Sequence, residues 1–301
     1  MNKVHVIVNP FSARGKTEKR WRLIRDIIKY YFKEFKYIFT EKPFQATEIA
    51  KELLKEGYDL IIGVGGDGTL NEIVNGYFDK MDSPINNDAS LGIIPSGTGS
   101  DFIRFLKIPR DFKKSIELIK ETNSKRIDVG KITSNNKTKY FINVADFGLG
   151  AEVMNNISKI PEIKRGPFSY YYGLLKTIKK YKNKDVKITT DDREIKGKYV
   201  IGAIANGKIF GGGMMIAPEA KPDDGFFDLV LIKEMKRTEV LLNSYYLYNG
   251  KVLKNKKVVL IRTKSIKIES ENNVCIEYDG EIGLNLPAEF KIIHKGLKFK
   301  Y

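Results

Sequence analysis

The sequence predicts an α/β plus all-β protein: an N-terminal three-layer domain with a parallel sheet between helices, then a C-terminal antiparallel β-sandwich. Three observations predict it. Apolar strand candidates alternate with amphipathic helical stripes up to about residue 125. Past Arg126 the chain turns to short β-rich stretches separated by turn signals. Polar or glycine-rich loops follow the first, third and fourth strands of the N-terminal part, and in a parallel sheet such loops emerge at one end.

The elements follow in order. Val4 to Val8 is a β-branched strand, after which Trp21, Ile24, Ile28, Tyr31 and Phe32 recur on one helical face. Phe35 to Phe39 is a second strand candidate, and Ala46, Ile49, Ala50, Leu53 and Leu54 form a second stripe. Asp59 to Val64 is a third strand, followed by a glycine loop and a short helix through Asn75; Leu91 to Ile94 is a fourth. Continuous apolar strands mean a sheet buried on both faces. The second part offers strands at Ile127 to Ile132, Tyr140 to Val144, Val186 to Thr190, Tyr199 to Ala205, Phe227 to Ile232, Ser265 to Glu269 and Val274 to Tyr278. Helices near Phe168 to Tyr181 and Glu239 to Leu247 interrupt them. The expected domains are 1–126 and 127–289, with about 290–301 returning to the first.

Composition bounds the function. Of 301 residues, 42% are hydrophobic and 11% aromatic, enough apolar surface to offset the entropy of ordering the chain. No uncharged run has the roughly 18 residues of a membrane span, and the N-terminus lacks a signal peptide's apolar length, so the expectation is a cytoplasmic protein. One cysteine, Cys275, excludes an internal disulfide and a multi-cysteine metal site. Two histidines, His5 and His294, lie at opposite ends, which leaves acid and base chemistry to carboxylates. The 53 Lys+Arg against 37 Asp+Glu give a net charge of +16, a field that favours anionic partners. The excess is mostly lysine, spread along the chain, without a nucleic-acid-binding motif, so no nucleic-acid partner is expected.

Gly65-Gly66-Asp67-Gly68-Thr69 is the sharpest local feature. With Gly63 it satisfies the dinucleotide pattern Gly-x-Gly-x-x-Gly, yet it follows the third strand rather than the first, and Asp67 sits where a pyrophosphate approaches bare amides. An acid in a phosphate loop makes sense when a metal ion lies between them, as at a nucleoside triphosphate site. A turn whose Asp caps the helix is the alternative. Gly15-Lys16-Thr17 ends like a Walker A loop, but Pro10 stands where its first glycine belongs. Asn9-Pro10-Phe11-Ser12 and Pro95 to Phe102 supply further donors, with Asp101 a second carboxylate; N-capping by Ser100 or Asp101 is the competing role. In the second part, Pro222-Asp223-Asp224-Gly225 carries hard oxygen ligands. Glu277-Tyr278-Asp279-Gly280-Glu281 carries three acids, any of which can take a proton from a hydroxyl. Gly211 to Gly213 is an approach loop or a sheet bulge.

Taken together these segments resemble the diacylglycerol kinase catalytic-domain family, specifically its soluble bacterial lipid kinases. The blocks that carry the resemblance are Asn9-Pro10 with Ser12, Thr40 to Lys42, Gly65 to Glu72 with Asn75-Gly76, Pro95 to Phe102, Phe141 to Ala145, Gly211 to Pro218, Lys221 to Asp228 and Asp279 to Glu281. Gly-Gly-Asp-Gly-Thr by itself is shared with NAD kinases. The resemblance implies a nucleotide-binding N-terminal domain, a lipid-substrate sandwich and an active site in the cleft between them. It implies ATP contacts at Asn9, Pro10, Phe11, Ser12, Ala13, Thr40, Gly66, Asp67, Gly68, Thr69, Leu70, Asn71, Glu72 and Thr98. It also implies that Asp67 organises a catalytic magnesium ion with Asp101 nearby, and that Glu281 is the general base toward a lipid hydroxyl. Lys221 and Phe226 through carbonyls, with the Asp224 side chain, would hold a structural magnesium coupled to Asp128. The sequence departs from the family pattern at Ala13-Arg14-Gly15 and at Ser100, where asparagine is usual.

The partners implied are a lipid alcohol and an anionic membrane surface, in phospholipid metabolism. The basic aromatic segment Lys159 to Lys182 suits such a surface, though a helix packed on its own sandwich explains it equally well. A sandwich edge offers a place for two chains to pair. The alternatives to a lipid kinase are a NAD kinase and a nucleotide-binding regulator without turnover.

Overall fold

The computed structural model describes residues 3–97, 100–159 and 169–301. The chain divides into two compact units, Met1–Asp128 with Lys295–Tyr301, and Val129–His294. In the first, β1 (Val4–Val8), α1 (Lys16–Tyr31), β2 (Lys36–Phe39), α2 (Gln45–Lys55), β3 (Leu60–Gly65), α3 (Asp67–Asn75) and β4 (Ser90–Pro95) alternate, followed by α4 (Asp101–Phe105) and α5 (Phe112–Glu121). The strands run parallel in the order β4-β3-β1-β2, and Lys298 and Phe299 of the last strand pair beside β4.

Helical periodicity decides the layers. Trp21, Ile24 and Ile28 of α1 and Ile116 and Ile119 of α5 pack with Val4, Val6, Val8, Ile62 and Val64 in one core. The stripe Ala46, Ile49, Ala50, Leu53 and Leu54 is buried on α2, and α2 packs against α3 and β1. Because β1 lies between β2 and β3, the chain reverses its direction of growth there. The loops after β1 and β3 therefore flank the crevice where open α/β sheets bind ligands. His5 is buried on β1 against the Tyr58 ring at a 5.0 Å centroid distance, and burial lowers its pKa to about 4. That is a packing role.

The second unit begins within β5 (Lys125–Ser134) and continues through β6 (Lys137–Phe141), β7 (Val144–Gly148), α6 (Leu149–Ser158), α7 (Ser169–Ile178), β8 (Lys184–Thr190) and β9 (Glu194–Ala205). There follow β10 (Ile209–Phe210), β11 (Met214–Met215), β12 (Phe227–Lys233), α8 (Arg237–Tyr248), β13 (Val258–Thr263), β14 (Ser265–Glu269), β15 (Cys275–Tyr278), β16 (Glu281–Asn285) and β17 (Ala288–Phe299). The order β16-β15-β7-β9-β8-β14-β17 is antiparallel; the first half of β9 pairs with β8, and its second half pairs with β7 and β12. Alternate residues Phe227, Leu229 and Leu231 join Phe141, Phe147, Ile188, Ile276 and Phe290 in the sandwich core. Phe141 and Phe227 stack at 5.7 Å and 10°. Phe227→Ala removes a fully buried ring and is expected to cost about 3–5 kcal/mol, read from the urea midpoint; a cost under about 1 kcal/mol would mean this core is not cooperative.

Several expectations need correction. Tyr140 to Val144 is not one strand: β6 ends at Phe141 and β7 starts at Val144, because the amides of residues 142–144 turn to the Asp279 carboxylate. The short helix expected through Asn75 is α3, which starts at Asp67. Helix α6 and strands β13, β16 and β17 lie outside the elements that the sequence predicts, although the apolar run Val258 to Ile261 of β13 carries a strand signal. Among the described residues no helix is long and apolar enough to cross a membrane.

Candidate functional site

In the first unit three loops converge at the carboxyl ends of the strands. After β1, the Asn9 side chain donates to Thr69 Oγ1 at 3.0 Å and accepts the Phe11 N–H at 3.0 Å. It thereby ties the first loop to the head of α3. Ser12 Oγ lies 2.5 Å from Thr17 Oγ1, which lies 2.6 Å from Ser96 Oγ in the loop after β4. The N–H groups of Ser96 and Gly97 both donate to the Gly65 carbonyl, at 2.8 and 3.0 Å. A Cβ on Gly97 would stand 2.5 Å from the Gly66 Cα, so only glycine lets these two backbones touch. Sequence reading misses Thr17 and Ser96 as linkers, since two hydroxyl residues 79 positions apart carry no local signal.

Asp67 does not cap α3. Gly66 is the N-cap, without a side-chain cap bond, and Asp67 Oδ2 accepts the Asp101 N–H at 2.8 Å. The two acidic residues that the sequence singles out are thus neighbours through the Asp101 backbone. Asp101 is mostly buried, with Arg104 Nη1 3.7 Å from its Oδ1. The half-buried run Gly66, Asp67 and Gly68 forms the mouth of the turn, whereas Thr69, Leu70 and Asn71 are buried behind it. Glu72 points elsewhere, its Oε2 accepting the Ala46 N–H of α2 at 3.2 Å. Thr40 sits after β2, its N–H bonded to the Val8 carbonyl at 2.9 Å, and Phe11 is exposed. Thr98 lies outside the described residues. Both departures from the family pattern have a local account. Ala13, Arg14 and Gly15 take left-handed backbone in succession (φ 53°, 61° and 77°), and Arg110 donates to Ser100 Oγ.

In the second unit the three acids of the 277–281 turn separate by environment. Asp279 accepts the N–H groups of Ile142, Asn143 and Val144 at 2.8, 3.0 and 3.2 Å, so it is a clamp on the β6–β7 break. Glu277 is buried opposite Asp146 in the β15–β7 pairing. Desolvation and the neighbouring Asp146 carboxylate push its pKa well above the carboxylate range. Burial raises Asp146 to about 6, opposed by hydrogen bonds from Glu277 and from the Ala151 N–H. Glu281, at the start of β16, is half-buried at the rim. Sequence reading misses Asp146, although an Asp inside the apolar run Val144 to Phe147 is a signal, since a buried carboxyl needs a partner.

The 221–226 turn differs from what the resemblance implies in one respect. Asp224 Oδ1 accepts the Phe226 N–H at 3.1 Å, while Oδ2 meets Arg262 Nη2 at 2.5 Å. The Arg262 guanidinium also lies over the Phe226 ring and 3.6 Å from Asp228. Arg262 supplies the positive charge that the resemblance gives to a structural ion, so the turn fits a cation only with Arg262 displaced. Among the described residues no cluster of three His, Cys, Asp or Glu forms a metal cage. In the first unit Asp128 Oδ1 accepts the Lys295 N–H at 2.7 Å.

Comparisons with known proteins place the chain in a family. The family model of the diacylglycerol kinase catalytic domain matches residues 3–132, and the model described as the YegS C-terminal NAD kinase beta sandwich-like domain matches residues 143–299. A diacylglycerol kinase of Staphylococcus saprophyticus is 34% identical over 293 residues, covering 96% of this chain and 92% of the relative. That of Staphylococcus carnosus is 32% identical over 292 residues, covering 96% and 91%. A solved Bacillus anthracis str. Sterne protein, whose diacylglycerol kinase name is provisional, superposes with a TM-score of 0.82 at 29% identity, covering 100% of this chain and 95% of that one. A fold of this kind, shared over its whole length with kinases, defines a kinase. The chain belongs to the diacylglycerol kinase family.

Proposed function

We propose that the protein transfers the γ-phosphate of ATP to the hydroxyl of diacylglycerol or a related lipid alcohol, in phospholipid metabolism. The observation that carries this reading is the hydrogen-bonded union of the loops after β1, β3 and β4 around Asp67, in a chain of this family. Amides of the 66–69 turn and the first turn of α3 offer donors and partial positive charge to phosphate oxygens. The Asn9 to Ala13 loop and Thr40 border the nucleotide, with Thr98 beyond the described residues. A carboxylate among phosphate-binding amides fits magnesium, a hard cation that takes oxygen ligands, and Asp67 would hold it with Asp101 beside it. When bound, the ion neutralises charge on the phosphate oxygens.

Glu281 is the base we assign to the acceptor hydroxyl. The family resemblance carries this assignment; in the same turn Asp279 and Glu277 accept backbone amides. The structural magnesium at Lys221, Asp224 and Phe226 belongs to the same reading, on condition that Arg262 moves. Helix α8 supports peripheral contact with an anionic membrane. Leu242 and Tyr248 are 77% and 53% exposed, and Lys236, Arg237, Lys251 and Lys254 flank them. In the basic aromatic segment, residues 160–168 lie outside the described residues, Tyr172 is exposed, and Tyr181 is buried with its hydroxyl donating to the Val200 carbonyl. Pairing of two chains through a sandwich edge completes the proposal.

The test is transfer of labelled γ-phosphate in mixed micelles with magnesium. Diacylglycerol, phosphatidylglycerol, a sphingoid base, a polyprenol and NAD would be offered separately. Label in a lipid is the expected result. Label in NAD alone would make the protein a NAD kinase, and tight ATP binding without transfer to any acceptor would make it a regulator.

A further inference from the structure

The buried Glu277 and Asp146 carboxyls stand directly opposite each other on β15 and β7, and each reaches a different backbone amide. Asp146 Oδ1 accepts the Ala151 N–H at 2.7 Å, at the head of α6. A Cβ on Gly150 would stand 2.6 Å from Asp146 Oδ2, so the carboxylate lies flat against the first turn of that helix. Glu277 Oε1 accepts the N–H of Gly280. Gly280 has a φ of 92° and directly precedes Glu281, so whatever fixes its amide fixes where the Glu281 backbone enters β16.

Two carboxylates in contact inside a sheet cannot both be ionised without a large cost. The helix head and the Ala151 amide favour the negative charge on Asp146. Placing the proton on Glu277, whose Oε1 already accepts the Gly280 N–H, would give the otherwise unpartnered Asp146 Oδ2 a donor. We propose that Glu277, paired with Asp146 across β15 and β7, is a positioning residue that clamps the 279–281 turn and so aims the Glu281 carboxylate at the acceptor hydroxyl. This rests on the assignment of Glu281 as base and adds the residues that place it.

The clamp needs a group with one donor and one acceptor. Glutamine has both in the same places, whereas aspartate is one methylene short and leucine has neither. The charged and titratable groups around the pair are Glu152 of α6, Lys184 of β8, Tyr181, Cys275 and Tyr278 of β15, and Asp279 and Glu281 of the turn. The two tyrosines and the cysteine are uncharged near neutrality, and the carboxylates Glu152, Asp279 and Glu281 outnumber Lys184, so the surroundings oppose a second negative charge. Glu277 and Asp146 both titrate above the ordinary carboxylate range, so rising pH removes the clamp's proton and loosens the turn.

The experiment measures kcat and KM against pH for wild type, Glu277→Gln, Glu277→Asp and Glu277→Leu, with Glu281→Gln as reference and thermal melts as a check on folding. Glu277→Gln is expected to keep wild-type kcat near neutrality. Its kcat should also hold at alkaline pH where wild type declines, since its clamp has no proton to lose. Glu277→Asp and Glu277→Leu are expected to lose about 10–100-fold in kcat with little change in KM for ATP, the scale for a reacting group misplaced by about an ångström. Should the Glu277→Leu variant fail to fold, the Gln and Asp variants carry the test. Equal kcat and one pH profile in wild type, Gln and Asp would overturn the proposal while Glu281→Gln stays inactive. An active Glu281→Gln would instead overturn the base assignment.

Discussion

Glu281→Gln is expected to lower kcat for lipid phosphorylation by about 10²–10⁴-fold, the range for removing a positioned general base, with KM for ATP little changed. The side chain keeps its shape and loses only its ability to take a proton. Folding should be unaffected, because the residue is half-buried at the start of β16 and outside the sandwich core. The rate of labelled phosphate transfer and the thermal midpoint decide this together. A variant within about threefold of wild type would return the base assignment to its neighbours. Both are poor replacements: Asp279 already holds three amides, and Glu277 is buried beside Asp146 with its Oε1 on the Gly280 N–H.

Asp67→Asn is expected to lower kcat/KM by about 10²–10³-fold, comparable to removing one preorganised electrostatic group from a transition state. The amide oxygen can still accept the Asp101 N–H, so the junction of the loops after β3 and β4 survives. The negative charge that would draw a divalent cation does not. The informative measurement is the magnesium dependence of the rate, which should move to much higher concentration than in wild type. If the dependence is unmoved and the rate unchanged, the glycine turn is structural and the nucleotide lies elsewhere. Asp67→Ala separates the two roles, since it loses the bond to Asp101 as well and should also loosen the fold of the turn.

Much of the fold and part of the candidate site are legible in the residues. The stripes on α1 and α2 and the apolar strands β1, β3 and β4 need only periodicity, and all are buried except Tyr31 of α1, which is partly buried, while Phe32 falls just past the helix. Gly66-Asp67-Gly68 is recognisable because glycine and an acid at a strand-to-helix turn have few other uses. Reading fails where distant chain decides the local conformation. The run Tyr140 to Val144 is apolar enough to be one strand, yet a carboxylate more than 130 positions away captures its amides and breaks it.

The sequence by itself determined the order of elements, the two-part architecture and the chemical types available at the turns, because these depend on neighbours within a few residues. Tertiary structure alone decided which acid does what. Asp279, Glu277 and Glu281 are near-equivalents along the chain, and they diverge only once strand pairing sets Glu277 opposite Asp146 and sets Asp279 beneath three amides. In the same way Arg262, which nothing in the sequence singles out, becomes the counter-charge of Asp224 only after β12 and β13 align Arg262 opposite Asp228. A carboxyl's role is set by its solvation and its nearest donors, and both are properties of packing.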